Sequence, residues 1–364
     1  MSDQNEPLLD AITAILPPLL NAIESLGMAG RYLHPPNLAE LATQLGDLDA
    51  PVRAALDEFR NAPWPENLLG FKQRIEAAGD AVCRAAEGLR ASVGKPDGVF
   101  QAYRALRFHT RATEALYPLA AMLPPVSQFY LEADARNDTD LLAKLAAANA
   151  EREDVGVMHA DNDKGSRGGF SMYVPEYYDP KHIYPVVMAL HGGTGHGRYF
   201  LWTWLREARS RGAIVISPSS RGDTWALMGT DIDSENIDAM LERVCARWNV
   251  DRTRVLLTGM SDGGTFSYVS GLRDNAPYTH LAPISAAFHP MILQAAGDGR
   301  IKDLPVYLTH GALDWMFPVD IAQTANKALR EAGADVVYRE IADLSHTYPR
   351  EENTRIMDWF LSNG

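Results

Sequence analysis

Apolar and polar residues follow two different periods along this chain. Up to about residue 150 they recur at helical spacing: Leu8, Ile12 and Ile15, then Leu38, Leu41 and Leu45, then Val52, Leu56 and Phe59. Residues 97–123 form a longer candidate helix carrying Tyr103, Ala105, Leu106 and His109. Proline pairs at Pro17-Pro18, Pro35-Pro36 and Pro124-Pro125, and the Pro63-Trp64-Pro65 stretch, are expected to separate the segments, because proline lacks the N–H a helix interior needs. No alternating run suggests a strand here, so residues 1–150 are expected to be a helical region of roughly five to seven helices.

From about Glu151 the pattern changes to short apolar runs alternating with helical stretches. Residues 155–159 and 169–174 flank a polar turn and predict a hairpin. Residues 184–190 are continuously apolar, as in a strand buried on both faces. Strands are expected at 213–217, 254–258, 281–285, 306–310 and 335–341. Helices are expected at 200–211, 234–248, from Thr265, at 320–331 and at 351–361. Strands alternating with crossover helices make an α/β fold with a mostly parallel sheet, whose ligands sit at the carboxyl ends of the strands. Two domains are expected: a helical region, 1–150, acting as a lid, a dimerisation surface or packing, and a catalytic domain, 151–364.

Composition narrows the function. With 364 residues and 46% apolar content the chain can bury a large core. The net charge of −13, without clustered Lys and Arg, argues against nucleic acid as a partner. Cys83 and Cys245 are far apart and without metal spacing, so structural thiols are expected, with no disulfide scaffold. The acidic start and the prolines interrupting the first apolar run do not make a secretory signal. No run suggests membrane insertion, and a cytoplasmic location is expected.

The candidate chemistry begins at Gly259-Met260-Ser261-Asp262-Gly263, where an apolar run turns into a helical stretch. A Gly-x-Ser-x-Gly turn between strand and helix strains the serine and lifts its hydroxyl off the sheet. Such a serine needs a base, and the base needs an acid, in the chain order Ser, Asp, His. Asp314, just past the 306–310 strand, is the candidate acid, with Asp320, Asp303 and Asp343 as rivals; Asp320 reads as a helix N-cap. His346, in the loop after the last strand, is the candidate base, with His191, His280, His289 and His310 competing.

The oxyanion hole would use the backbone N–H of Asp262 and of Gly193, with Thr194 the second choice for the latter. His191 is expected to orient that loop by hydrogen bonding. Trp202, Trp225, Phe288 and Trp315, with Trp204 and Phe317, are placed around the mouth as candidate substrate-binding aromatics. Asp231, Asp233 and Glu235 could suggest calcium, but a charged helix start accounts for them; no metal and no cofactor is expected.

Together, Leu190-His191-Gly192-Gly193, Thr258-Gly259-Met260-Ser261-Asp262-Gly263-Gly264, His310-Gly311-x-x-Asp314 and Ser345-His346 resemble the α/β-hydrolase serine esterases. The branch is similar to the polyhydroxybutyrate depolymerases, feruloyl esterases and phospholipase/carboxylesterases. The resemblance covers the chain from about Val155 and implies an α/β-hydrolase fold and hydrolysis of small-molecule carboxylic esters through an acyl-enzyme. Asp262 departs from the Asn or Gln common in that branch, and its side chain is expected to point away from the oxyanion. A peptidase of the prolyl-oligopeptidase type and a non-catalytic binding protein on the same scaffold are the alternatives. The helical region lies outside the resemblance and is where a homodimer would form.

Overall fold

The computed structural model describes residues 6–294, 296 and 299–362; the polar start at 1–5 lies outside them. It divides into two compact units, Met1–Tyr130 and Leu131–Gly364. The break falls earlier than the expected 150. Residues after Leu131 attach to the second unit: the Glu132 N–H donates to Ser210 Oγ, and its carboxylate pairs with Arg211 at 2.6 Å.

The first unit holds α1 (Glu6–Arg31), α2 (Leu38–Leu45), α3 (Ala50–Asn61), α4 (Leu69–Ser92), α5 (Gly98–Leu116) and α6 (Pro124–Phe129). The second opens with α7 (Thr139–Ala147), whose N-cap Asp138 accepts the N–H groups of Asp140 and Leu141. Pro124-Pro125 and Pro35-Pro36 start helical turns, where a missing N–H costs nothing. Pro17-Pro18 does not break the chain as expected but lies inside α1. Each proline there denies one carbonyl its helical partner. Tertiary burial of Ile15, Leu16, Leu19, Ala22, Ile23 and Leu26 holds the helix across that gap. Because it is continuous, α1 has the length and composition of a membrane-crossing helix, contrary to the expectation that no segment does. In this unit it packs on α3, α4 and α5.

The second unit is built on β1 (Gly156–Ala160), β2 (Phe170–Val174), β3 (Tyr184–Leu190), β4 (Ile214–Pro218), β5 (Val250–Met260), β6 (His280–Ile284), β7 (Pro305–Gly311) and β8 (Asp335–Ile341). Its helices are α8 (Gly197–Phe200), α9 (Leu205–Arg211), α10 (Ser234–Cys245), α11 (Asp262–Gly271), α12 (Met291–Gln294), α13 (Val319–Glu331) and α14 (Glu352–Ser362). One sheet runs β1-β2-β4-β3-β5-β6-β7-β8. The expected hairpin is there: β1 and β2 pair antiparallel, and β2 pairs antiparallel with β4. Every pairing from β4 through β8 is parallel. Val186, Met188, Leu190, Val255, Leu257, Leu281, Val306 and Leu308 run through the core, which is why β3 and the second half of β5 lack polar alternation. This is an α/β-hydrolase fold. Its six parallel strands end at Leu190, Pro218, Met260, Ile284, Gly311 and Ile341, and the connections beyond them carry the candidate chemistry.

Candidate active site

The turn after β5 is as tight as its glycines require. A side chain on Gly259 would meet Gly263 backbone at 2.5 Å, and one on Gly263 would meet the Leu190 carbonyl at 2.4 Å. Ser261, between them, has φ 56° and ψ −121°. A left-handed φ on a residue with a Cβ costs roughly 1–3 kcal/mol and persists only where the surroundings enforce it. Here the Ser261 N–H donates to the Ile284 carbonyl of β6, and its carbonyl accepts the Thr265 N–H, the first turn of α11. The strand pairing on one side and the helix on the other leave the hydroxyl pointing out of the turn.

That hydroxyl meets His346. Ser261 Oγ lies 3.0 Å from His346 Nε2, and His346 Nδ1 lies 2.8 Å from Asp314 Oδ2. A carboxylate facing Nδ1 fixes the tautomer with the proton on Nδ1, so Nε2 accepts from the serine. Asp314 is itself held: its Oδ1 accepts the N–H groups of Met316 at 3.0 Å and Phe317 at 2.8 Å. The Phe317 ring stands edge-on to His346, with centroids 5.2 Å apart. The three side chains come from the ends of β5, β7 and β8.

The rivals fall elsewhere. Asp303, Asp320 and Asp343 are exposed. Asp320 lies in the first turn of α13, whose cap position is Pro318, so it is a favourable charge there and not the N-cap. His289 is exposed, and His280 is buried between the Trp359 and Phe360 rings. His310 is fully buried beneath Asp314: its Nε2 is 2.8 Å from the Phe317 carbonyl and 3.5 Å from Asp314 Oδ2. Burial lowers its pKa, so it is neutral and carries its proton on Nε2.

The loop after β3 is braced by side chains. His191 accepts the Ser220 N–H on Nε2 at 3.1 Å and is 2.7 Å from the Gly192 carbonyl through Nδ1, which makes Nδ1–H the donor. Burial pushes its pKa down to about 3, consistent with a neutral ring. The Thr194 N–H donates to the Asp223 carbonyl at 3.1 Å, so the second choice for an oxyanion donor is already engaged. Gly193 approaches Asp262 closely: a Cβ there would lie 2.7 Å from Asp262 Oδ2. That carboxylate accepts the Thr224 hydroxyl at 2.5 Å.

The aromatics divide. Trp225 is 2% exposed and serves the framework, not an open mouth as expected: its indole N–H donates to the His191 carbonyl at 2.7 Å, and its ring stacks on Phe266 at 5.2 Å. Trp202 and Trp204 are buried on the turn before α9. Phe288 is half-buried, edge-on to Tyr268. Trp315, 39% exposed beside Asp314, is the most exposed of the four candidate substrate-binding aromatics.

Asp231 accepts the N–H groups of Asp233 and Ser234 at the start of α10. Asp233 accepts those of Arg221 and Ala226. Both carboxylates thus organise the loop backbone.

One buried cluster beside the His346 loop has no signal in the sequence. Tyr348 donates to Asn353 Oδ1 at 2.8 Å, and Asn353 Nδ2 lies 2.6 Å from the Thr203 carbonyl and 3.5 Å from Glu207 Oε2. Burial pushes Glu207 up to about 7 from 4.5, with Arg350 pulling the other way. An acid raised in the fold holds a proton that the unfolded chain has released. Its contribution is therefore full below about 4.5 and is lost as pH rises through about 7. Glu207→Gln removes that dependence. Melting curves from pH 5 to 8 should show the variant gaining on the wild type by about 2–3 kcal/mol, at about 1.4 kcal/mol per pH unit. A pH-independent difference would mean that Glu207 is not protonated in the fold.

Residues 229–362 match the phospholipase/carboxylesterase family. Among curated proteins the chain is similar to a bifunctional acetylxylan esterase/xylanase of Neocallimastix patriciarum, 26% identical over 52% of this chain and 27% of that protein. It is also similar to a probable feruloyl esterase C of Aspergillus terreus, 26% identical over 45% of this chain and 62% of that one. The chain thus spans less than two thirds of the length of these relatives. Among solved structures, a thermostable esterase superposes with a TM-score of 0.47 at 20% identity, over 58% of this chain and 63% of that one.

Proposed function

We propose that this chain, with its α/β-hydrolase fold, hydrolyses carboxylic esters by a serine mechanism. The observation that carries the reading is the relay from Ser261 Oγ to His346 Nε2 at 3.0 Å and from His346 Nδ1 to Asp314 Oδ2 at 2.8 Å, on a serine at φ 56°. Ser261 attacks the ester carbonyl as His346 Nε2 takes its proton. Asp314 keeps the imidazole in the required tautomer and stabilises its positive charge. The backbone N–H groups of Gly193 and Asp262 receive the oxyanion. His346 then protonates the departing alcohol, leaving an acyl-enzyme, and activates the water that releases the acid.

We propose esters with a small or aromatic acyl group as the substrate class. The acetylxylan and feruloyl esterase names of the relatives and the partly exposed Trp315 beside Asp314 support this. The test is labelling with a fluorophosphonate probe followed by peptide mapping, alongside rates on p-nitrophenyl acetate, methyl ferulate, a long-chain ester and an aminoacyl anilide. Modification at Ser261, with acetyl or feruloyl ester cleaved fastest, is the expected result. No labelling would sink the serine mechanism, and preference for the anilide would turn the reading to a peptidase.

A further inference from the structure

The two oxyanion donors come from different segments: Asp262, next to Ser261, opens α11, whereas Gly193 lies in the loop after β3. Their N–H groups can share one oxygen only if those segments keep a fixed separation, because an oxyanion donor acts at about 2.7–3.1 Å. A third segment reaches both of them.

Three consecutive residues in the connection after β4 each make one bond to this assembly. The Asp223 carbonyl accepts the Thr194 N–H at 3.1 Å, and Thr194 has a left-handed φ of 54°. The Thr224 hydroxyl donates to Asp262 Oδ2 at 2.5 Å. The Trp225 indole donates to the His191 carbonyl at 2.7 Å while its ring lies on Phe266 of α11. Just upstream, the Ser220 N–H donates to His191 Nε2. Residues 220–225 thus hold the oxyanion loop at three points and the nucleophile helix at two. The carboxylate that receives Thr224 also lies against the bare Cα of Gly193, where no side chain would fit.

We infer that Asp223-Thr224-Trp225 is a strap that sets the oxyanion geometry, and that the Thr224–Asp262 bond is its joint to the nucleophile helix. The inference rests on the serine-esterase reading. It makes Thr224 and the Asp262 side chain positioning groups, distinct from the Asp262 N–H that meets the oxyanion. It also explains how a carboxylate is accommodated next to a developing negative charge: one of its oxygens is turned to the Thr224 hydroxyl. A strap of this kind stabilises the transition state, in which the oxyanion exists, more than the bound ester.

The experiment is steady-state ester hydrolysis by Thr224→Val, Thr224→Ser, Asp262→Ala, Asp262→Asn and the Thr224→Val/Asp262→Ala double variant, with a melting curve for each. Valine keeps the shape of threonine without the hydroxyl, whereas serine keeps the donor; asparagine keeps an acceptor without the charge. Thr224→Val should lower kcat about 10-fold or more with KM within about twofold, since small displacements at a reacting centre can cost up to about 100-fold. Asp262→Ala should match it, and the double variant should be no worse than either alone, because both remove one bond. Serine and asparagine should restore most of the rate. Melting temperatures of the valine and serine variants should agree, which separates positioning from loss of fold.

Equal kcat for valine and wild type, or valine and serine equally impaired, would overturn the strap. So would losses in the double variant that simply add. A wild-type enzyme that cleaves no ester would overturn the underlying reading and the strap with it. An active wild type with an indifferent Thr224→Val overturns the strap alone.

Discussion

Ser261→Ala is expected to lower kcat for ester hydrolysis by about a million-fold, because removing a nucleophile that works through its base leaves only binding and the oxyanion donors. The fold should tolerate it. Residue 261 keeps its backbone bonds to Ile284 and Thr265, and alanine must adopt the same positive φ, so strain is neither added nor relieved. Melting temperatures within a few degrees of each other, with fluorophosphonate labelling lost, would complete the result. A residual rate above about a thousandth of wild type would mean that another group attacks the ester, since loss of the nucleophile costs far more than that.

Asp314→Asn is expected to lower kcat by about ten-thousand-fold, as loss of the correct histidine tautomer does in serine hydrolases. The surroundings of Asp314 dictate how the amide must sit. Its Oδ1 accepts two backbone N–H groups, from Met316 and Phe317, so in the variant the carbonyl oxygen has to stay on that side. The NH2 is then turned toward His346 Nδ1, where Asp314 Oδ2 now accepts at 2.8 Å. Two donors would face each other. His346 escapes by moving its proton to Nε2, and an Nε2–H cannot take a proton from Ser261. The variant should fold normally and lose kcat with little change in KM. A loss below about 10-fold, against the tautomer effect expected here, would remove Asp314 from the relay.

Charge and burial also set an acid limit. His191, neutral and accepting the Ser220 N–H, has its pKa pushed down to about 3 from 6.5. A depressed histidine contributes stability above its unfolded value and loses it as pH falls from 6.5 through about 3. Protonation would place a donor on Nε2 against the Ser220 N–H, breaking a bond that holds the loop after β3.

Local chemistry made much of the second unit legible. Residues 184–190 are apolar without a break because β3 is covered on both faces, and its limits follow from that run alone. The Gly-x-Ser-x-Gly turn is legible because only glycine fits within 2.5 Å of a neighbouring backbone. Asp314 and His346 could be placed because parallel strands deliver the residues after them to one edge.

Where one neighbour's preference was outvoted by distant contacts, the sequence was silent or misleading. Pro17-Pro18 reads as a break, yet the apolar stripe of α1 buries enough surface to carry the helix through. Trp225 reads as a pocket aromatic, yet its indole finds the His191 carbonyl and its ring finds Phe266. Thr224, in the connection after β4, pairs with Asp262 at the start of α11, and Tyr348 with Asn353 and His310 with the Phe317 carbonyl are pairings five and seven residues apart. Nothing at either position alone announces its partner.

The sequence by itself determined the period of most elements, the strained turn at Ser261 and the chain order of Ser261, Asp314 and His346, because these depend on backbone sterics and on what a strand or helix buries. The tertiary structure decided which acid meets which histidine, which aromatic stays exposed and what holds Gly193 beside Asp262. Those depend on how far apart separate connections come to rest, and that distance is set by the whole packed sheet.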